Sequence, residues 1–107
     1  MIGPDQIYSD DALTCVGTAE TSLGLLDQAL SHLERSVAIA KHSPATDLAL
    51  ARFALARALT AAKRDPERAR ELGETALKQL RAAPGMAYEA REVQQWFEAD
   101  EKGKTAP

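Results

Sequence analysis

The side chains best suited to acid–base, nucleophilic or metal chemistry in this sequence are two histidines, His32 and His42, and one cysteine, Cys15. A structural zinc site draws on four cysteine or histidine ligands, and this set falls short of that. Ten residues separate His32 from His42, which puts them on different faces of one helix or one of them past its end. Both read as solvated histidines. Cys15 has no histidine at a suitable place in its own hairpin to act as a base, so it reads as a small packed or half-exposed thiol rather than a nucleophile. Glu89, Glu92, Glu98, Asp100 and Glu101 crowd the last helix with carboxylates. Paired carboxylates do acid–base work only in a cleft that perturbs their pKa, and here they read as a solvated outer face. Gly3 and Gly24 belong to no phosphate-binding loop. The expectation is a chain with no catalytic centre, no metal site and no cofactor.

Any site must therefore be built from surfaces, and the composition says what kind. Apolar residues make up 45% of the 107 residues, too many for a disordered chain. Aromatics make up only 5%, so small residues must fill the core. Ala49, Ala51, Ala54, Ala56, Ala58, Ala61 and Ala62 supply a helix-forming tract that lets neighbouring helices approach closely. The β-branched apolar residues Ile2, Ile7, Val16, Val37, Ile39 and Val93 are scattered singly, and no segment reads as a strand. The net charge is −3 with acidic and basic residues interspersed. No basic stripe is present, which argues against nucleic acid as a partner. No apolar run approaches the ~18 residues of a membrane span and no secretory signal is legible. A single cysteine cannot form an internal disulfide, which fits a reducing, cytoplasmic location.

The punctuation predicts five helices. Residues 1–9, with Gly3-Pro4-Asp5, read as a flexible linker. Ser9 or Asp10 caps a first helix that ends near Gly24. A second carries Leu26, Ala29, Leu30, Leu33, Val37 and Ala40 on one stripe. His42-Ser43-Pro44 breaks it, with Ser43 as cap and Pro44 at the first position of a third helix. Asp65-Pro66-Glu67 repeats that start signal for a fourth, stopped by Ala83-Pro84-Gly85. A fifth follows over 86–99, and residues 100–107 read as a flexible tail.

The first four helices pair as two similar hairpins. Gly17 faces Ala29 across the first turn, and Ala56 faces Ala69 across the second. Small residues recur two turns on, at Ser36 and Ala76, so two antiparallel helices can pack closely, with Leu33 and Leu72 beside them. This arrangement resembles the tetratricopeptide repeat. The matching residues are Leu13, Val16-Gly17, Gly24, Leu26, Ala29, Leu33 and Ser36-Val37, then Leu55-Ala56, Leu59, Ala69, Leu72 and Ala76-Leu77. The second repeat departs from the pattern: it lacks the glycine after a leucine, and Lys63-Arg64-Asp65 makes its turn one residue longer. At about 40 residues the unit is longer than the common form of ~34 and is similar to the repeats of kinesin light chain. Ile2-Gly3-Pro4-Asp5 is similar to the linker that ends a preceding repeat. The tract from Ala51 to Leu59, with the Trp96-Phe97 helix, is similar to the C-terminal end of bacterial arrays, some of them joined to serine/threonine kinase domains. No kinase motif lies in the chain.

The resemblance implies an all-α fold of two antiparallel helix hairpins, 10–41 and 44–82, with a capping helix over 86–99. It also implies a scaffold-like protein-binding role, with the first helix of each repeat lining a concave groove. Residues one turn round from the core stripe would then face a protein or peptide ligand. They are Asp11, Thr14, Thr18, Thr21 and Ser22 in the first repeat, and Leu50, Phe53, Arg57, Thr60 and Arg64 in the second. The lysine and asparagine with which some relatives clamp a C-terminal carboxylate are missing, so that clamp is not expected. Exposing Leu50 and Phe53 forgoes up to ~1.5–3 kcal/mol each, so a peptide, a neighbouring helix or a second copy should cover them. A homodimer through this groove, or through a free N-terminal edge carrying Leu23, Leu26 and Leu30, is the alternative to peptide binding.

Overall fold

The computed structural model describes residues 9–105, with side chains for residues 9–99. Five helices follow one another: α1 (Asp10–Ser22), α2 (Leu26–Ala40), α3 (Ala45–Ala62), α4 (Pro66–Ala82) and α5 (Ala87–Thr105). No strand occurs among the described residues. Helices α1 and α2 form one hairpin and α3 and α4 a second; α2 packs on α3, α1 lies beside α3, and α5 packs on α4. The expected linker falls mostly outside the described residues. The expected tail is different in its first part, because α5 continues to Thr105.

The two turns repeat each other bond for bond at an offset of 39 residues. Leu25 N donates to Glu20 O at 2.9 Å, and Arg64 N to Leu59 O at 3.0 Å. Gly24 N donates to Thr21 O, and Lys63 N to Thr60 O. Both are helix ends closed by a left-handed residue whose successor reaches back five residues. Gly24 holds that position at φ +80, while Lys63 holds it at φ 56. One further residue, Asp65, also left-handed at φ 44, separates Lys63 from α4. Asp65 caps α4 by accepting from Arg68 N, with Pro66 behind it. Ser9 caps α1 by accepting from Ala12 N at 3.2 Å. The Ser43 cap does not form: α3 starts one residue later than expected, after Pro44, with no side-chain cap.

Two clusters make the core. Ala29, Leu33, Val37 and Ala40 of α2 meet Ala51, Ala54, Leu55 and Ala58 of α3 in the first. In the second, Ala49 and Phe53 of α3, Ala76 and Leu80 of α4, and Ala90 and Val93 of α5 come together. Alanine dominates both because helices with methyl side chains can close to short interaxial distances. In the first hairpin Leu33 fills the space over Gly17, since a Cβ there would run into the Leu33 side chain. Gly73 does the same for the cap: an added Cβ would stand 2.8 Å from Trp96 Cζ3 and from Phe97 Cζ.

Candidate functional site

Helices α1 and α3 lie side by side and start at the same end, so their facing residues form one surface. At that end Asp10, Asp11 and Asp47 place one carboxylate oxygen each within 4.8 Å of one another. Lost hydration, then the charges of Asp11 and Asp10, push the Asp47 carboxyl above its ordinary value. Oxygen ligands of this kind suit hard cations, but calcium asks for six to eight. The cluster is a partly exposed acidic rim. Nothing in the spacing of Asp11 from Asp47 in the chain announces it; only the side-by-side placement of α1 and α3 does.

Further along, Thr18, Thr21, Ala54 and Arg57 line a shallow cleft no larger than a water molecule. Arg57 is exposed, its guanidinium 5.6 Å from the centre of the Phe53 ring. No carboxylate pairs with it among the described residues. Thr21 and Thr60 each donate to their own helix, to Gly17 O at 2.8 Å and Ala56 O at 2.9 Å, again 39 residues apart. Their hydroxyl protons are engaged, and only oxygen lone pairs remain for a ligand. Ser22 is exposed.

Three of the expected groove residues belong to the framework instead. Ser36, wholly buried, donates its proton to Asp10 O at 2.8 Å. Thr14 must therefore be the donor in its 2.6 Å bond to Ser36 Oγ, and its hydroxyl ties α1 to α2. Phe53 is only 8% exposed, and Leu50 packs half-buried beside it. The ring of Trp96 meets Phe53 edge-on at 5.9 Å and Phe97 at 4.9 Å. Of the three covers expected for Leu50 and Phe53, the one present is a neighbouring helix, α5.

Charged pairs join the hairpins at their outer side. Arg68 holds Glu34 with two bonds of 2.7 Å, and Arg64 reaches Asp27 at 2.8 Å. The hydrogen bonds from Arg68 lower the Glu34 pKa, and Glu34 in turn raises that of Arg68. Arg64, expected in the groove, thus pairs at the turns. His32 is not a freely solvated histidine: its Nδ1 lies 2.6 Å from Glu20 Oε1, half-buried between α1 and α2. Cys15 is exposed. Among the described residues no helix is long and apolar enough to cross a membrane.

A scan against protein-family models matches the tetratricopeptide repeat over residues 8–82, well over half of the chain. Searches of curated proteins and of solved structures find no match.

Proposed function

Because the chain belongs to the tetratricopeptide repeat family, whose hairpins serve as protein-interaction modules, we propose that it binds a short peptide or helix along the surface shared by α1 and α3, without catalysis. The observation that carries this reading is the charge layout of that surface. Three carboxylates crowd one end, and Arg57, without an acidic partner among the described residues, stands at the other. Asp47 and Arg57 are ten residues apart on one helix, roughly 15 Å along its axis. A ligand with a basic group and an acidic group at that separation answers both ends, with the Thr18 and Thr21 oxygens between them. The framework supports the reading, since α5 buries Phe53 and packs against half-buried Leu50, which weakens the apolar drive of that pair toward a second copy. A bacterial, scaffold-like or kinase-linked setting rests on the resemblance of the sequence, and a cytoplasmic one on its single cysteine.

A peptide display library panned on the immobilised chain tests this. Selected peptides should shift the amide resonances of Thr18, Thr21 and Arg57, and should lose at least tenfold in affinity for an Asp11→Lys, Arg57→Glu double variant. Peptides that bind the variant equally well, or that shift only α4 and α5, would sink the reading.

A further inference from the structure

The basic end of the surface shared by α1 and α3 rests on a chain of ring contacts that begins in another helix. Arg57 follows Phe53 by one helical turn. Side chains of a helix lean back toward its N-terminus, and the guanidinium lies 5.6 Å from the centre of the Phe53 ring. Phe53 is only 8% exposed, so burial holds the ring in place beneath it. Trp96 of α5 meets that ring edge-on at 5.9 Å, a favoured aromatic geometry. Trp96 is fixed in turn by Phe97 at 4.9 Å and by the bare backbone of Gly73, where an added Cβ would stand 2.8 Å from Trp96 Cζ3. The first hairpin lacks this arrangement. The 39-residue offset places Thr18 and Thr14 on α1 where α3 has Arg57 and Phe53, and Thr14 is tied to Ser36.

We infer that Phe53 and Trp96 are positioning residues for Arg57. They hold its guanidinium ready to take the oxyanion of a ligand, a carboxylate or a phosphoryl group, so α5 is part of the binding site as well as a cover for α4. This positioning role rests on the reading that Arg57 meets the acidic end of the ligand. An arginine loses much of its side-chain freedom when it grips a partner, and one already laid against a ring loses less. The ring supplies no oxygen acceptor, so N–H donors remain to hold two ligand oxygens as a fork. Thr21 adds no donor, because its proton goes to Gly17 O. Arg57 and Thr18 are then the donors on the cleft walls. If α5 lifts away, Phe53 is uncovered and Arg57 loses its support. By linkage, a bound oxyanion favours the packed position of α5.

The test titrates sodium acetate and inorganic phosphate separately into the intact chain at constant ionic strength. The side-chain Nε–H resonance of Arg57 is followed, together with hydrogen exchange of the Ala90 and Val93 amides of α5. In the parent, the Phe53 ring current should displace the Arg57 resonance upfield. One of the two anions should move it to saturation and slow exchange in α5. Tighter binding of acetate assigns a carboxylate ligand, and tighter binding of phosphate a phosphoryl one. Phe53→Leu keeps an apolar side chain and should remove the upfield displacement and weaken the anion by about two- to fivefold, the strength of an exposed cation–π contact. Phe53→Tyr keeps the ring and should retain both. A purely structural role for the ring would lower the melting temperature without moving an anion midpoint measured well below it. An anion midpoint unchanged in Phe53→Leu would overturn the inference and leave the role of Arg57 standing. So would a parent resonance with no upfield displacement, or exchange in α5 indifferent to a bound anion, and neither of these needs a variant that folds. An Arg57 resonance displaced upfield that answers neither anion would overturn the role of Arg57 as well.

Discussion

The side chain of Leu33 occupies the volume in which a Cβ of residue 17 would stand, so the contact between α1 and α2 is set by a glycine against a fully buried leucine. In a free helix Gly17→Ala would gain about 0.5–1 kcal/mol from the unfolded chain's lost freedom. Here the methyl group meets a side chain held on all sides. Overpacking of that kind costs about 1–3 kcal/mol, so the net effect is destabilising. Urea titration followed by circular dichroism should show the midpoint fall. An unchanged or raised midpoint would mean that Leu33 moves aside freely.

Lys63 and Gly24 do the same work in equivalent turns, yet only one of them is a glycine. A side chain in the left-handed region costs about 1–2 kcal/mol, partly offset by the lower entropy of its unfolded state. Lys63→Gly should therefore stabilise the protein by about 0.5–1 kcal/mol, and Gly24→Lys should do the reverse. Nothing lies within 4 Å of a Cβ built at Gly24, so that second result would report backbone strain alone. Paired thermal melts of the two variants decide it.

The carboxyls of Asp47 and Glu34 should pull stability in opposite directions with pH. Asp47 has a folded pKa raised above the unfolded value of about 3.9. The native state binds that proton more readily, so its contribution is gained as pH falls through the raised value and is absent at neutral pH. Glu34 is lowered by Arg68; its contribution is present above about pH 4.3 and fades as pH falls below that. Asp47→Asn should stabilise the protein at pH 7 and lose its advantage toward pH 4. Glu34→Gln should cost a little at pH 7 and nothing in acid. Denaturation midpoints for the three proteins between pH 3 and 7 check both signs, and parallel curves would count against the assignment.

Sequence periodicity reached the helices and the hairpin pairing because those depend on near neighbours. Gly24, Asp65-Pro66 and Pro84-Gly85 are local signals, and each stands at an observed boundary. Ser43 misled because Pro44 itself takes the cap position. What stayed hidden depends on how helices distant in sequence meet. Asp47 gives no hint that it will meet Asp10 and Asp11, and Arg64 reads as a groove residue until the two turns come together. The place of Phe53 on α3 calls for a cover but does not reveal which one, and it is Trp96 of α5 that meets it. One of these had a legible sign: a glycine inside a helix, as at Gly73, is unfavourable by about 1 kcal/mol and marks a close approach, here that of Trp96 and Phe97.

Trp96 is the only tryptophan of the chain, and it sits where α5 meets Phe53 and Gly73. Its fluorescence therefore reports the seating of one helix, while far-ultraviolet ellipticity averages over all five. Recorded on the same melt, the two signals act as a clock for the ends of the molecule. If the emission change precedes the loss of ellipticity, the chain unzips from α5, and the two hairpins outlive their cap as a separate folding unit. If the two curves superimpose, the aromatic contact across α3, α4 and α5 couples the whole helical stack into a single cooperative transition.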